Sequence, residues 1–193
     1  LYDKKIGYYN TKQPFGYKGD FITAPKISNL FSEIIAIWII SVWQNLGKPK
    51  KLNIVELGPG DGSLTKVLLE TFKRFPDFNT VNKIYLYEKS NFLKKVQKKN
   101  IQNKKVKWIN NFNDIDKGPV IFFGNEFFDA IPIKQFLKKG NNWFEKFVYF
   151  HSNKKAKFIN KKINIKKVEK KINFKVSENQ NFIEYSPLGL KYL

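Results

Sequence analysis

The stretch Asn53-Ile54-Val55-Glu56-Leu57-Gly58-Pro59-Gly60-Asp61-Gly62-Ser63 constrains this chain more than any other. A short apolar run rich in β-branched residues stops at a carboxylate, passes through glycines spaced two apart, and enters a helical pattern at Leu64. The order is strand, tight turn, helix. Glycine adopts backbone conformations closed to other residues, and the first N–H groups of a helix lack intrahelical partners. A polar or anionic small molecule can therefore lie directly on the backbone of such a turn.

A length of 193 residues accommodates one domain with a real core and an appended segment. The composition, 42% hydrophobic and 17% aromatic, excludes a disordered chain. Cysteine is absent, which excludes disulfides, thiolate metal sites and a thiol nucleophile. The formal charge of +20 raises the question of a nucleic-acid or acidic-membrane partner. The charge is almost all lysine, however, with Arg74 the only arginine, and lysine travels with Asn, Ile and Phe throughout, as in a genome-wide composition bias. Fixed recognition of bases and phosphates favours the planar, bidentate arginine, so the lysines read as solvated faces and a nucleic-acid partner is not expected. The most apolar stretch, Ile34 to Trp43, is about half of what a membrane span needs and reads as a buried helix. A cytoplasmic protein is expected, or one of the mitochondrial matrix in a eukaryote. The lack of any Met, even at position 1, points to a native chain that starts upstream of Leu1.

Residues 1–19 carry no sustained period and read as loop. Gly19-Asp20-Phe21 with Thr23 and Pro25 reads as a turn capped by Asp20. Ser28 is the expected N-cap of a helix through Asn45, ended by Gly47 and Pro49; its apolar residues cover more than one stripe, which predicts packing on two sides and core positions for Trp38 and Trp43. Strands are expected at 52–57, 83–87, 106–109 and 119–123, the last apolar enough to be buried on both faces. Helices are expected from Ser63 to Phe75, closed by Pro76, and after a Ser90 cap with Phe92, Leu93 and Val96 inward. Strands alternating with helices predict an α/β fold with a parallel sheet covered on both faces. From Ile133 the pattern changes to a hairpin, with strands at 135–137 and 143–150, followed by a lysine-rich tract at 154–175 without an assignment, and a helix beginning near Ser186-Pro187. The organisation is thus an N-terminal loop and helix over 1–50, a nucleotide-binding core over 51–132, and a hairpin and lysine-rich insertion over 133–193.

In a parallel sheet ligands bind at the carboxyl ends of the strands. Three such ends carry unusual residues: Glu56 with Gly58, Gly60 and Gly62; Glu88; and Asn125 with Glu126. A dinucleotide fingerprint needs its third glycine at position 63, where Ser63 stands, and no Gly-Lys-Ser/Thr follows the loop. The pattern suits a ligand with a ribose and an ammonium group but no pyrophosphate, such as S-adenosylmethionine. Glu88 would take the ribose hydroxyls, Glu56 would sit near the methionine ammonium, and the reactive methyl would point towards Asn125 and Glu126. His151, the only histidine, reads as exposed and structural.

With these residues placed, the chain resembles the MidA-like family of class I methyltransferases, which includes a mitochondrial protein arginine methyltransferase needed for respiratory complex I assembly. The resemblance rests on Gly7-Tyr8-Tyr9, Pro14-Phe15-Gly16, Gly19-Asp20-Phe21-Ile22-Thr23-Ala24-Pro25, Glu56 to Gly62, Glu88 with Ser90, Leu93 and Gln97, Trp108, and Asn125-Glu126-Phe127-Phe128-Asp129-Ala130 with Pro132. It implies a Rossmann-like class I methyltransferase fold that uses S-adenosylmethionine to methylate arginine nitrogen in a protein substrate, such as a respiratory-chain subunit. It makes Gly19, Thr23 and Pro25 part of the pocket. Glu126 becomes the candidate for pairing with the guanidinium, with Asp20 second and Asn125 orienting. Lys26 and Ser32 depart from the family's usual Glu and Gly, and only four of its seven sheet strands are present, which implies truncation at both ends. Two other functions fit the same residues: an assembly or binding protein without catalysis, and an RNA-directed methyltransferase.

Overall fold

The computed structural model describes residues 7–11, 20, 24–150 and 155–192. The chain divides into two compact units, Leu1–Phe127 and Phe128–Leu193. In the first, helices α1 (Tyr8–Thr11), α2 (Ala24–Ile27) and α3 (Asn29–Asn45) precede a parallel sheet of β1 (Leu52–Leu57), β2 (Asn82–Tyr87), β3 (Val106–Ile109) and β4 (Val120–Phe123). The connections are α4 (Ser63–Lys73) and α5 (Pro76–Val81) after β1, and α6 (Asn91–Asn100) after β2. The order across the sheet is β3-β2-β1-β4. Parallel neighbours need such crossovers, which is why helical patterns separate these strands in sequence.

The expected strands form nearly where the apolar runs lie, and Ser28 caps α3 by accepting from the amide of Leu30 at 3.1 Å. Pro76 does more than close α4: it opens α5 at a position where its missing N–H costs nothing. One face of the sheet presents Leu52, Ile54, Ile84, Leu86 and Ile121 to α3 and α4, with Ile39, Trp43, Leu68, Phe72 and Phe78 filling the layer. Phe78 meets Trp43 and Phe72 edge-on, with centroids 5.3 and 4.8 Å away, and the Trp43 indole donates to the carbonyl of Pro49 at 2.9 Å. The opposite face holds Val55, Leu57, Tyr85 and Ile109 against Tyr87, Phe112, Ile115 and Phe127.

Two burial expectations are corrected. Among the described residues helix α3 is covered on one side: Ala36, Ile39, Ile40 and Trp43 are buried, while Leu30, Ile34 and Trp38 are 60%, 58% and 49% exposed. Among the described residues β4 lies at the end of the strand order, and Val120 and Phe122 are 41% and 45% exposed. A hydrophobic pattern reports what a residue could bury, whereas position in the sheet decides how much of it is covered. Near the N-terminus, Tyr8 to Thr11 forms one helical turn where a loop is expected.

The second unit is an antiparallel sheet of β5 (Lys134–Lys139), β6 (Asn142–Phe150), β7 (Ala156–Ile163) and β8 (Phe182–Tyr185) in the order β7-β6-β5-β8, with α7 (Ile165–Ile172). Its core joins Phe136, Trp143 and Ile183 to Val168 of α7. The expected hairpin is β5–β6. The lysine-rich tract resolves into β7 and α7, and the segment before Ser186 is strand β8, with only a short turn of 3-10 helix, Gly189–Lys191, after it. His151 lies outside the described residues. Among the described residues no helix is long and apolar enough to cross a membrane.

Phe78→Ala should lower the unfolding free energy by about 3–5 kcal/mol, because it empties the junction of α3, α4 and α5; urea titration followed by circular dichroism measures this.

Candidate functional site

The parallel register sets the strand ends level. Glu56 pairs with Leu86 of β2 and Phe123 of β4, and Leu86 pairs with Trp108 of β3. One residue on, the amide of Gly58 donates to the carbonyl of Tyr87 at 3.0 Å, so the glycine loop leaves β1 still hydrogen-bonded to the last residue of β2. Glu88 is the next residue of that chain. Glu56, the loop and Glu88 therefore share one corner of the sheet.

Two loop glycines are required by shape. Gly58 has φ +63°, and a Cβ there would lie 2.8 Å from the Phe127 ring; Gly62 has φ +82°, and a Cβ would lie 2.5 Å from Ile101 Cδ1. Gly62 leads into α4, and the side chain of Asp61 accepts from the amide of Ser63 at 3.1 Å, giving the helix start a polar partner.

Glu56 is 2% exposed and accepts a hydrogen bond from the hydroxyl of Thr65 in the first turn of α4. Burial pushes its carboxyl up to about 7 against the restraint of Thr65, and the neighbouring acids Asp61 and Glu88 push the same way. Glu88 is also buried. Burial raises its carboxyl too, opposed by the amide of Ser90, the side chain of Gln97 and the amide of Lys89. The bonds are 2.7 Å from Ser90 N to Oε1 and 3.2 Å from Gln97 Nε2 to Oε2. Ser90 caps α6 by accepting from Leu93 N, and its hydroxyl donates to the carbonyl of Tyr9, which ties α1 to this corner.

The β4 end turns sharply. A Cβ on Gly124 would come within 3.2 Å of the Leu57 carbonyl oxygen, and Phe127 folds back against Gly58 and the second apolar layer. Between them Glu126 is exposed with φ +52°, a left-handed conformation that is strained for a side chain of its kind. Asn125, half-buried, precedes it. Asp20 is exposed and accepts from the Tyr8 hydroxyl, which it holds up to about 12. Pro25 is buried in α2, which packs against α3 and α4. Gly19 and Thr23 lie outside the described residues. Among the described residues no group of acids and histidines could hold a metal ion.

Thr65, Gln97 and Trp108 gained no role from sequence reasoning. Gln97 had a usable signal: it lies one turn after Leu93 on the inward stripe of α6, where a polar residue has to find partners.

The corner's chemistry limits its ligand. The charges of Asp61 and Glu88 already oppose ionisation of Glu56, so a further anion such as a pyrophosphate would meet the same repulsion, whereas a cation would relieve it. A carboxylate has about four acceptor positions, so Glu88 keeps capacity for hydroxyl donors beyond its protein partners. The residues present thus fit a ligand that carries ribose hydroxyls and an ammonium, as S-adenosylmethionine does.

Residues 34–193 match the family described as "Putative S-adenosyl-L-methionine-dependent methyltransferase". The chain belongs to that family, whose cofactor is S-adenosyl-L-methionine. Relatives named protein arginine methyltransferase NDUFAF7, mitochondrial, include those of Danio rerio, 35% identical over 72% of this chain and 39% of the relative, and of Homo sapiens, 33% identical over 74% and 38%. The Caenorhabditis elegans homologue is 34% identical over 74% of this chain and 39% of its own. The chain thus spans about two fifths of the length of the curated relatives it matches. The fold is that of a Burkholderia thailandensis protein crystallised with S-adenosyl-homocysteine, with TM-score 0.72 and 21% identity over 93% of this chain and 47% of that one. The MidA-like resemblance and the class I methyltransferase fold both hold.

The Glu56 carboxyl titrates higher folded than its ordinary 4.5, so the native state binds the extra proton between pH 4.5 and about 7. Stability should therefore fall as pH rises through that window, by about 3 kcal/mol in the limit. Glu56→Gln should flatten this slope in urea titrations across pH; an unchanged slope would assign it to other groups.

Proposed function

We propose that the whole protein transfers a methyl group from S-adenosylmethionine to an arginine guanidinium nitrogen of a protein substrate, with a respiratory-chain subunit as the class that the MidA-like resemblance suggests. The observation that carries this reading is the acidic corner: Glu56, Asp61 and Glu88 gathered by the glycine loop at adjacent parallel strand ends. The names of the mitochondrial relatives support the choice of arginine.

The cofactor, when bound, supplies an electrophilic methyl on a sulfonium. Glu88 would accept from the ribose hydroxyls, the backbone of Gly58, Gly60 and Gly62 would line the methionine portion, and Glu56, more readily ionised beside a cation, would face the ammonium. The MidA-like resemblance assigns Gly19, Thr23 and Pro25 to cofactor binding as well. Glu126 would pair with the guanidinium and Asn125 would orient it; as the methyl passes from sulfur to nitrogen, the S–C bond breaks to leave the neutral thioether, the N–C bond forms, and the Glu126 carboxylate would accept the proton that the nitrogen loses. Asp20, bonded by Tyr8, is the second carboxylate for this task. The left-handed backbone at Glu126 is the kind of local strain that persists where a side chain has to be aimed.

Calorimetric titration with S-adenosylhomocysteine should show binding to the wild type and a loss of about tenfold or more in Glu88→Ala, since hydrogen bonds to a charged group are being removed. With an arginine-containing protein substrate, Glu126→Gln should cut methyl transfer while leaving cofactor affinity intact. Wild-type transfer rates in both Glu126→Gln and Asp20→Asn would remove these carboxylates from the mechanism.

A further inference from the structure

Gln97 is fully buried on α6, yet every polar atom of its amide is engaged. Its Nε2 donates to the carbonyl of Gly60 at 2.8 Å and to Glu88 Oε2 at 3.2 Å, while its Oε1 accepts from the Trp108 indole at 2.9 Å. An indole N–H can only donate, so the amide oxygen has to face Trp108 and both amide hydrogens have to face Gly60 and Glu88. Chemistry alone fixes which way round the side chain sits. The three partners come from the glycine loop after β1, the end of β2, and β3, whose Trp108 lies in register with Leu86.

We propose that Gln97, with Trp108 behind it, is a positioning residue that aims the Glu88 carboxylate at the cis-diol of a ribose and so makes the pocket selective for ribonucleoside ligands. The inference rests on the S-adenosylmethionine reading of the site. Glu88 Oε1 is held by the Ser90 amide and Oε2 by Gln97, so the carboxylate plane is fixed at both ends. Burial works against the ionised form of Glu88, and the Gln97 N–H works for it; an ionised carboxylate can accept from both hydroxyls. The same amide grips Gly60, so the loop and the ribose-binding acid keep their spacing.

The test compares S-adenosylhomocysteine with its 2′-deoxyadenosine counterpart, titrated calorimetrically into the wild type, Gln97→Met and Trp108→Phe. Methionine keeps nearly the volume of glutamine and none of its hydrogen bonds. The wild type should prefer the ribose form by about tenfold or more. In Gln97→Met the preference should shrink to within about threefold because the ribose form loses more affinity than the deoxy form, and Trp108→Phe should fall between the two. Parallel weakening of both ligands, or an unchanged preference, would make Gln97 a structural residue only and overturn the proposal. Equal wild-type binding of both ligands would overturn it while leaving the cofactor reading intact, and wild-type binding of neither would overturn both. Should Gln97→Met fail to fold, the Trp108→Phe comparison decides by the same criteria.

Discussion

The parallel pairing of β1 with a neighbour on each side is the constraint on which the first unit depends. Parallel strands all point the same way, so their carboxyl ends fall along one edge, and the crossovers that permit this place helix starts on that same edge. The bond from Gly58 to Tyr87 carries the ladder one residue past the strand before the chain turns. Glu56, Glu88 and the Gly124–Phe127 turn inherit their placement from this geometry. None of them needs to find the others independently.

The second principle of the site is concentrated negative charge in a place that penalises it. Glu56 is buried with Thr65 as its hydroxyl partner, and its acidic neighbours make ionisation harder still. Such an arrangement is a poor way to stabilise a fold, since burial of a charge costs more than one hydrogen bond returns. It is a good way to hold a potential ready for a cation. The polar residues around it, Ser90, Gln97 and Asn100, bond to Glu88 or to the loop carbonyls of Gly60 and Asp61, keeping the corner rigid without neutralising it.

Much of this was legible in the sequence because periodicity and punctuation agreed there. Leu52 to Leu57 could only be a buried strand, and the glycines, Ser28 and Ser90 marked turn and caps at the positions where they act. Burial was read less well. The apolar residues of α3 outnumber the surface that covers them, and no local pattern tells Ile34 from Ile39. The lysine tract hid β7 and α7 because an exposed sheet edge and a solvated helix face both use lysine freely. The partners that Thr65, Gln97 and Trp108 find could not be read from local pattern for a different reason: each bond spans elements whose approach follows from the sheet.

The role proposed for Glu126 sets the site against the fold that carries it. With φ +52°, its backbone would be more comfortable as glycine, or as asparagine, than as glutamate. Selection of this chain for thermal resistance alone should therefore drift towards those residues at position 126, gaining tolerance to heat while erasing a carboxylate. Evolution under heat and evolution for the proposed role would pull this single position in opposite directions.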